Sequence, residues 1–326
     1  MMSSVPESVP AVTIAVTVYS PKYVTQAIDS VLAQTFQDFE IVVVNDGSPE
    51  TESLERVLLP YQSRIRYFRQ GNQGVSVARN TALQAARAQL IVNLDHDDLL
   101  EPEHLKTVVG FMREHPDVDA TYVNLTYFGG GSLDATHWMD SFPSKGDVSL
   151  RSVLAGQTCP ANPGSIIRRS TLLRVGPYDP GLDSWEDFDM WLRILSAGGK
   201  IAYVREPLVR YRIHDSNLTS RRLRYMENAV RVLDKVEATM QLSPQEAAAL
   251  AVRRKACVFD LDILRGKEAL RRKDWTAASQ HFTSCRNQAP TAKLRAVVFA
   301  LRWCPWLLSA AASMRRRTQS SPDSRQ

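Results

Sequence analysis

Over the first hundred residues, short β-branched runs alternate with stretches of helical period. Residues 12–19 (VTIAVTVY) are apolar and β-branched, which predicts a strand buried on both faces. From Tyr23, the apolar positions Val24, Ala27, Ile28, Val31 and Leu32 recur at the spacing of one helix face. A second buried strand is predicted over 39–44 (FEIVVV), ended by the turn-forming Asn45-Asp46-Gly47-Ser48. A helix near 50–60, a strand near 65–68, a helix opened by Gly71 and Gly74 over 75–87, and a strand over 90–94 follow. Strands alternating with helices of this length predict right-handed βαβ units and an α/β fold with a mostly parallel sheet.

After residue 100 the period loosens. A helix near 102–114, a strand over 120–127, a glycine-rich loop with aromatic residues over 129–145 and a further α/β stretch to 211 are expected. Beyond Asp215 the pattern is helical. Residues 264–290, beginning LRGKEALRRKDWTAASQHF, read as one helical hairpin similar to a single tetratricopeptide unit. One such unit cannot bury its own face, so it is expected to pack on the main domain. The expected organisation is a flexible start over 1–10, a main α/β domain over 11–215, a helical region over 216–314 and a disordered basic and polar tail over 315–326.

Composition changes the picture mainly at the end of the chain. With 44% hydrophobic and 23% charged residues among 326, the bulk is ordinary for a globular protein. The net charge of +5 belongs to the tail: from 291 onward Lys293, Arg295, Arg302, Arg315, Arg316, Arg317 and Arg325 face Asp323 alone. The main body is close to neutral, and no nucleic-acid partner is expected. Cys159, Cys257, Cys285 and Cys304 are far apart and lack metal spacing, so they read as reduced thiols of a cytoplasmic chain. The start MMSSVPESVPAV has no signal-peptide pattern, and no uninterrupted apolar stretch of about 20 residues occurs. Residues 296–314 (AVVFALRWCPWLLSAAASM) run into three arginines and are interrupted by Arg302 and Pro305. Two tryptophans beside a basic cluster suit peripheral contact of 296–317 with the inner face of a membrane. A terminal helix docked on the protein itself is the other reading.

In an open parallel sheet, ligands bind beyond the carboxyl ends of the strands. The first strand delivers Thr17 and Tyr19 there, the second Asp46, and the fourth Asp95-His96-Asp97-Asp98. Asp-rich turns often only cap strands and helices. Three carboxylates in four residues, however, repel one another unless something positive lies among them. A hard cation, Mn2+ or Mg2+, with a diphosphate completing its oxygen shell resolves that repulsion. No GxGxxG follows the first strand and no Walker sequence occurs, so phosphate charge is expected to be met by the metal and by Arg79.

Four blocks now fall in one order: VTIAVTVYSPKYVTQAIDSVLAQTFQDFEIVVVNDGS, GNQGVSVARN, IVNLDHDD, then SWEDFDMWLR with YRIHDSNLTS. In this they resemble the family 2 glycosyltransferases, inverting enzymes of the GT-A fold, over roughly 11–220. The resemblance implies a GT-A domain with a helical C-terminal extension, and a donor that is a nucleotide-sugar, above all a UDP-sugar. It implies an acceptor hydroxyl on a glycan or lipid-linked glycan. Thr17, Tyr19, Asp46, Arg79 and Asp95 then contact the nucleotide, Asp97 and His214 the metal, and Asp187 is the catalytic base, placed just before a helix over 188–195. Trp185 and Glu186, beside that base, are the acceptor candidates; Trp185 could equally be a core aromatic. Asn45, Ser20 and Ala88 depart from the usual residues, which bears on nucleotide preference. A nucleotidyltransferase and a non-catalytic nucleotide-sugar binder are the competing classes. The first would need a glycine-rich basic loop after strand one, where SPKYVTQ stands; the second has no need of a base. His104, His115, His137 and His281 are read as isolated surface residues, and His96 as pointing away from the metal.

Overall fold

All seven residues of β1 (Val12–Val18) are buried, as a strand covered on both faces must be. The computed structural model describes residues 9–130, 132–214, 222–289 and 291–303. β1 leads through α1 (Val24–Leu32) to β2 (Phe39–Asp46), then α2 (Thr51–Leu58), β3 (Ile65–Gln70), α3 (Val75–Ala85) and β4 (Leu90–Asp95). These four strands are parallel, in the order β3-β2-β1-β4. After them come β5 (Leu99–Leu100), α4 (His104–Glu114), β6 (Ala120–Phe128), α5 (Trp138–Ser141) and α6 (Leu150–Leu154). Then β7 (Ile166–Arg168), α7 (Arg169–Val175), α8 (Glu186–Ser196) and β8 (Ile201–Arg212) complete one sheet, β3-β2-β1-β4-β7-β6-β8-β5. The mostly parallel α/β fold read from the sequence is the fold observed.

Strand alternation divides the core in two. Ile14, Val16, Ile41 and Val43 meet α1, α2 and α4 on one face, through Ile28, Leu54 and Leu105 among others. Ala15, Val42, Val44 and Ile91 meet α3 and α8 on the other, through Ala78, Ala82, Met190 and Trp191. The second face holds α3 and α8 against the same side of the sheet.

Beyond β4 two short strands set the geometry of the sheet edge. The three-residue β7 runs antiparallel to both β4 and β6. The two-residue β5 pairs antiparallel with β8, Leu99 opposite Arg210 and Leu100 opposite Val209. The acidic turn after β4 is thereby tied to the end of β8, 110 residues later. Neither short strand is long enough to show a period, and the sequence pattern predicts neither.

The described residues form two compact units, one reaching to 214 and taking in 235–250, the other made of 222–234 and the residues from 251 onward. The chain after 221 is helical: α9 (Arg222–Thr239), α10 (Pro244–Arg271), α11 (Trp275–Gln288) and α12 (Ala292–Trp303). The hairpin expected over 264–290 is the end of α10 with α11, capped by Asp274, which accepts from the Ala277 N–H at 2.9 Å. Gly266 is needed there, because a Cβ would lie 2.9 Å from the Phe282 ring. Ala269, Ala278, Phe282, Cys285, Leu294 and Leu301 form that unit's core. No helix among the described residues is long and apolar enough to cross a membrane. Most of the flexible start, the tail over 315–326 and residues 304–317 of the membrane-contact segment lie outside the described residues.

The histidines depart from expectation. His104 is fully buried on α4, and its Nε2 pairs with the Gly164 carbonyl at 2.8 Å. Gly164 has φ +69°, and a Cβ there would lie 2.3 Å from Val209 Cγ2 and 2.8 Å from that same Nε2. His137 pairs with Thr126 at 3.1 Å and His281 with Asp262 at 2.9 Å, so both are part of the packing. Burial pushes the His104 ring down to about 4, below its ordinary value near 6.5. Its contribution to stability is therefore complete above about pH 6.5 and is lost as the pH falls toward 4. Unfolding free energy should drop by about 2 kcal/mol from this group between pH 7 and pH 5. Urea titrations of wild type and His104→Gln at both pH values check it; the variant should lose that part of the pH dependence.

Candidate active site

The acidic turn after β4 resolves its own crowding, residue by residue. Asp95 Oδ1 accepts from Arg79 Nη2 at 2.9 Å and from the Thr17 hydroxyl at 3.3 Å. Asp98 is 1% exposed, and its Oδ1 accepts the Arg212 N–H at 2.9 Å. Burial, then the charges of Asp97 and Asp95, push the Asp98 carboxyl well above the usual carboxylate range. Two of the three crowded carboxylates therefore also have partners within the protein, Asp95 with Arg79 and Thr17 and Asp98 with the Arg212 N–H. Asp97 remains, its Oδ2 2.9 Å from His214 Nε2, and both side chains are about 15% exposed. Among the described residues no group of three or more His, Cys, Asp or Glu side chains is arranged to hold a metal.

Arg212 organises this edge, and the sequence reading missed it. Its Nε donates to the Asp97 carbonyl at 2.8 Å and its Nη2 to Gln26 at 2.6 Å. Its guanidinium lies 4.1 Å from the Tyr23 ring centroid and 4.3 Å from that of Phe128. The signal was its place in YRIH, two residues before His214. The pairing of β5 with β8 brings it there.

Asp46 ends β2 and is 6% exposed. One oxygen accepts from Gln70 Nε2 at 2.8 Å and the Gln73 N–H at 2.9 Å, the other from the Gly74 N–H at 2.8 Å. Gly47, at φ +63°, allows the loop to close: a Cβ there would lie 2.3 Å from the Asn72 backbone nitrogen. Tyr19 stands exposed just past β1.

Across the sheet edge, α8 begins at Glu186, two residues earlier than the period suggested. Its N-cap is Trp185, at φ +64°. A bulky aromatic in the left-handed region costs about 1–3 kcal/mol and is held there by its surroundings; the Trp185 ring packs edge-on against Phe188 at 4.9 Å. Asp187 is the second residue of the helix and not its N-cap, and its Oδ1 accepts the first-turn Phe188 N–H at 2.7 Å. Burial, then the charge of Glu186, push the Asp187 carboxyl up to about 7, against the opposing pull of Arg79. Glu186 turns inward and pairs with Arg79 Nη1. The buried Arg79 guanidinium thus bridges Glu186 and Asp95 instead of facing open solvent.

The structure gathers Thr17, Arg79, Asp95, Glu186 and Asp187 into one network, with Asp97 and His214 as the adjoining pair. Asp46 heads a neighbouring network of its own. With this geometry in hand, the likeness to known proteins is specific. Residues 13–173 match the family model described as glycosyl transferase family 2. They belong to that family. An uncharacterized glycosyltransferase of Rickettsia typhi is 29% identical over 234 residues, spanning 67% of this chain and 69% of its own length. One from Rickettsia felis is 30% identical over 214 residues, of which this chain spans only 34% of the relative's length.

Solved structures agree on the fold. The chain resembles Staphylococcus aureus TarS 1-349 in complex with UDP-GlcNAc (TM-score 0.60, 17% identity), covering 89% of this chain and 87% of that one. It also resembles the mannosyltransferase PcManGT of Pyrobaculum calidifontis in complex with GDP-Man and Mn2+ (TM-score 0.60, 16% identity), covering 97% and 89%. The fold is GT-A, with a helical C-terminal region.

Asp46 is the tie most open to test. Asp46→Ala releases three donors at once, two of them backbone amides, and should destabilise the chain by about 1–3 kcal/mol. Amide exchange at Gln73 and Gly74 should accelerate well beyond that of β2; unchanged exchange at both would show that the carboxylate does not hold the loop.

Proposed function

We propose that this chain transfers a sugar from a nucleoside diphosphate, first of all a UDP-sugar, to an acceptor hydroxyl by a single displacement that inverts the anomeric centre. The observation that carries the proposal is Asp187: a carboxyl raised to about 7, at the same sheet edge as Asp97 and linked to it through Glu186, Arg79 and Asp95. A general base works best when its pKa lies near the working pH. Asp187 would accept the acceptor's proton as that oxygen attacks. A nucleotide-sugar binder without activity has no use for such a group. A nucleotidyltransferase would need a glycine-rich basic loop where residues 20–26 read SPKYVTQ.

Asp97 and His214 supply one carboxylate and one imidazole, a donor pair that fits Mn2+ better than Mg2+, since imidazole suits the softer ion. Bound between them, such an ion would supply positive charge to a departing diphosphate. The Mn2+ in the mannosyltransferase structure supports this choice. A carboxylate has about four acceptor positions, and Asp46 spends three within the protein. The remaining one suits a ring N–H, which uracil and guanine offer and adenine does not. UDP-GlcNAc in TarS supports the uridine choice, with a GDP-sugar second.

The acceptor side is read as a glycan or lipid-linked glycan met at a membrane surface. On α12, Leu294 and Leu301 are buried while Phe299 and Trp303 are 67% and 65% exposed, beside the exposed Arg295 and Arg302. Aromatic and basic side chains on one helix face suit peripheral contact with anionic lipid.

Two variants test the proposal together. Asp187→Asn keeps shape but cannot take a proton, so turnover should fall about 10²–10⁴-fold with donor affinity little changed. Asp97→Ala should abolish transfer and remove the Mn2+ dependence of UDP binding, read by calorimetry. Near-wild-type turnover in Asp187→Asn, or full activity in excess chelator, would refute the assignments.

A further inference from the structure

Arg79 is 4% exposed on α3, and a buried guanidinium is costly unless its charge is matched. It is matched twice, by Asp95 on the β4 side and by Glu186 on the α8 side. Glu186 is itself 7% exposed, so its carboxylate is committed to the arginine. The frame around the pair is bonded as well. The Ser76 hydroxyl donates to the Leu182 carbonyl at 2.6 Å. Asn80 exchanges two hydrogen bonds of 2.8 Å with the backbone of Tyr178. Helix α3 therefore grips the segment that leads into α8.

We propose that Glu186 and Arg79 are positioning residues for Asp187: their buried ion pair fixes the first turn of α8 and carries charge between Asp95 and the base, and Glu186 makes no contact with the acceptor. The kinetic part of this inference rests on the function proposed above; the electrostatic part does not. Among the described residues, these titratable or charged groups act on Asp187: Glu186 beside it on α8, Arg79 from α3, Asp95 from the end of β4 and Tyr178 from the segment before α8. Glu186 and Asp95 raise its hold on a proton, and Arg79 lowers it. Removing the Glu186 charge must therefore weaken that hold.

The test is a carboxyl ¹³C NMR titration of the full chain, with the Asp187 resonance assigned by its absence in Asp187→Asn. Glu186→Gln keeps the shape and leaves an acceptor for Arg79, which stays paired with Asp95. The Asp187 midpoint should move down by about one pH unit. The acid limb of the rate profile should move with it, and the KM for the acceptor should change little. Arg79→Lys keeps a positive charge but cannot fork across two carboxylates. It should move the midpoint up, and it serves if Glu186→Gln fails to fold. A midpoint unmoved in the folded variant overturns the proposal. So does an acceptor KM that rises while the midpoint stays put, the sign of Glu186 holding the acceptor. Because the titration needs no substrate, its failure is distinct from a failure of the proposed transfer, which Asp187→Asn turnover reports.

Discussion

One guanidinium removed from water allows three carboxylates from two distant parts of the chain to gather at a single sheet edge. Asp95 arrives on β4, and Glu186 and Asp187 on α8, and each would be expelled or neutralised if left without a counter-charge. Arg79, on the helix between β3 and β4, lies against the same face of the sheet as α8 and meets Asp95 and Glu186 directly. Asp187 is raised first by its burial and then by the Glu186 charge, which Arg79 only partly offsets. Asp98 takes the other solution: it is buried away from the arginine and held toward its neutral form. Two chemically alike residues three positions apart thus end in different charge environments.

Much of this was legible in the sequence, and the reasons differ by element. β1, β2 and β4 are long apolar runs buried on both faces, a signal that survives without any knowledge of partners. β5 and β7 owe their existence to neighbours, so the sequence carries no trace of them, although β5 is what joins His214 to Asp97. The residue types at the site were legible because strand ends in a parallel sheet point to one edge. Their pairing was not. Crowding among Asp95, Asp97 and Asp98 suggested a cation but not that Asp95 would also pair with Arg79 and Asp98 accept the Arg212 N–H. His104 looked like a surface histidine because a lone polar residue on an amphipathic helix usually is one. Only the carbonyl of Gly164, sixty residues away, makes its burial affordable.

The family match covers 13–173, which includes Asp46, Arg79, Asp95 and Asp97 but ends before α8 and β8. The proposed nucleotide contacts therefore rest on both family and geometry, and the proposed base on geometry. That division gives the Arg79–Glu186 bridge its weight, since it is the physical link between the two. The second unit has its own core around Phe282.

The stereochemistry of transfer tests the central claim most directly. A base on Asp187 with no protein nucleophile permits one displacement at the anomeric carbon. Proton NMR of the first product formed from a UDP-sugar with an α-linked diphosphate should therefore show a β-glycoside. A product that keeps the donor's α configuration would contradict the account, because it would require a second displacement that Asp187, acting as a base, does not provide.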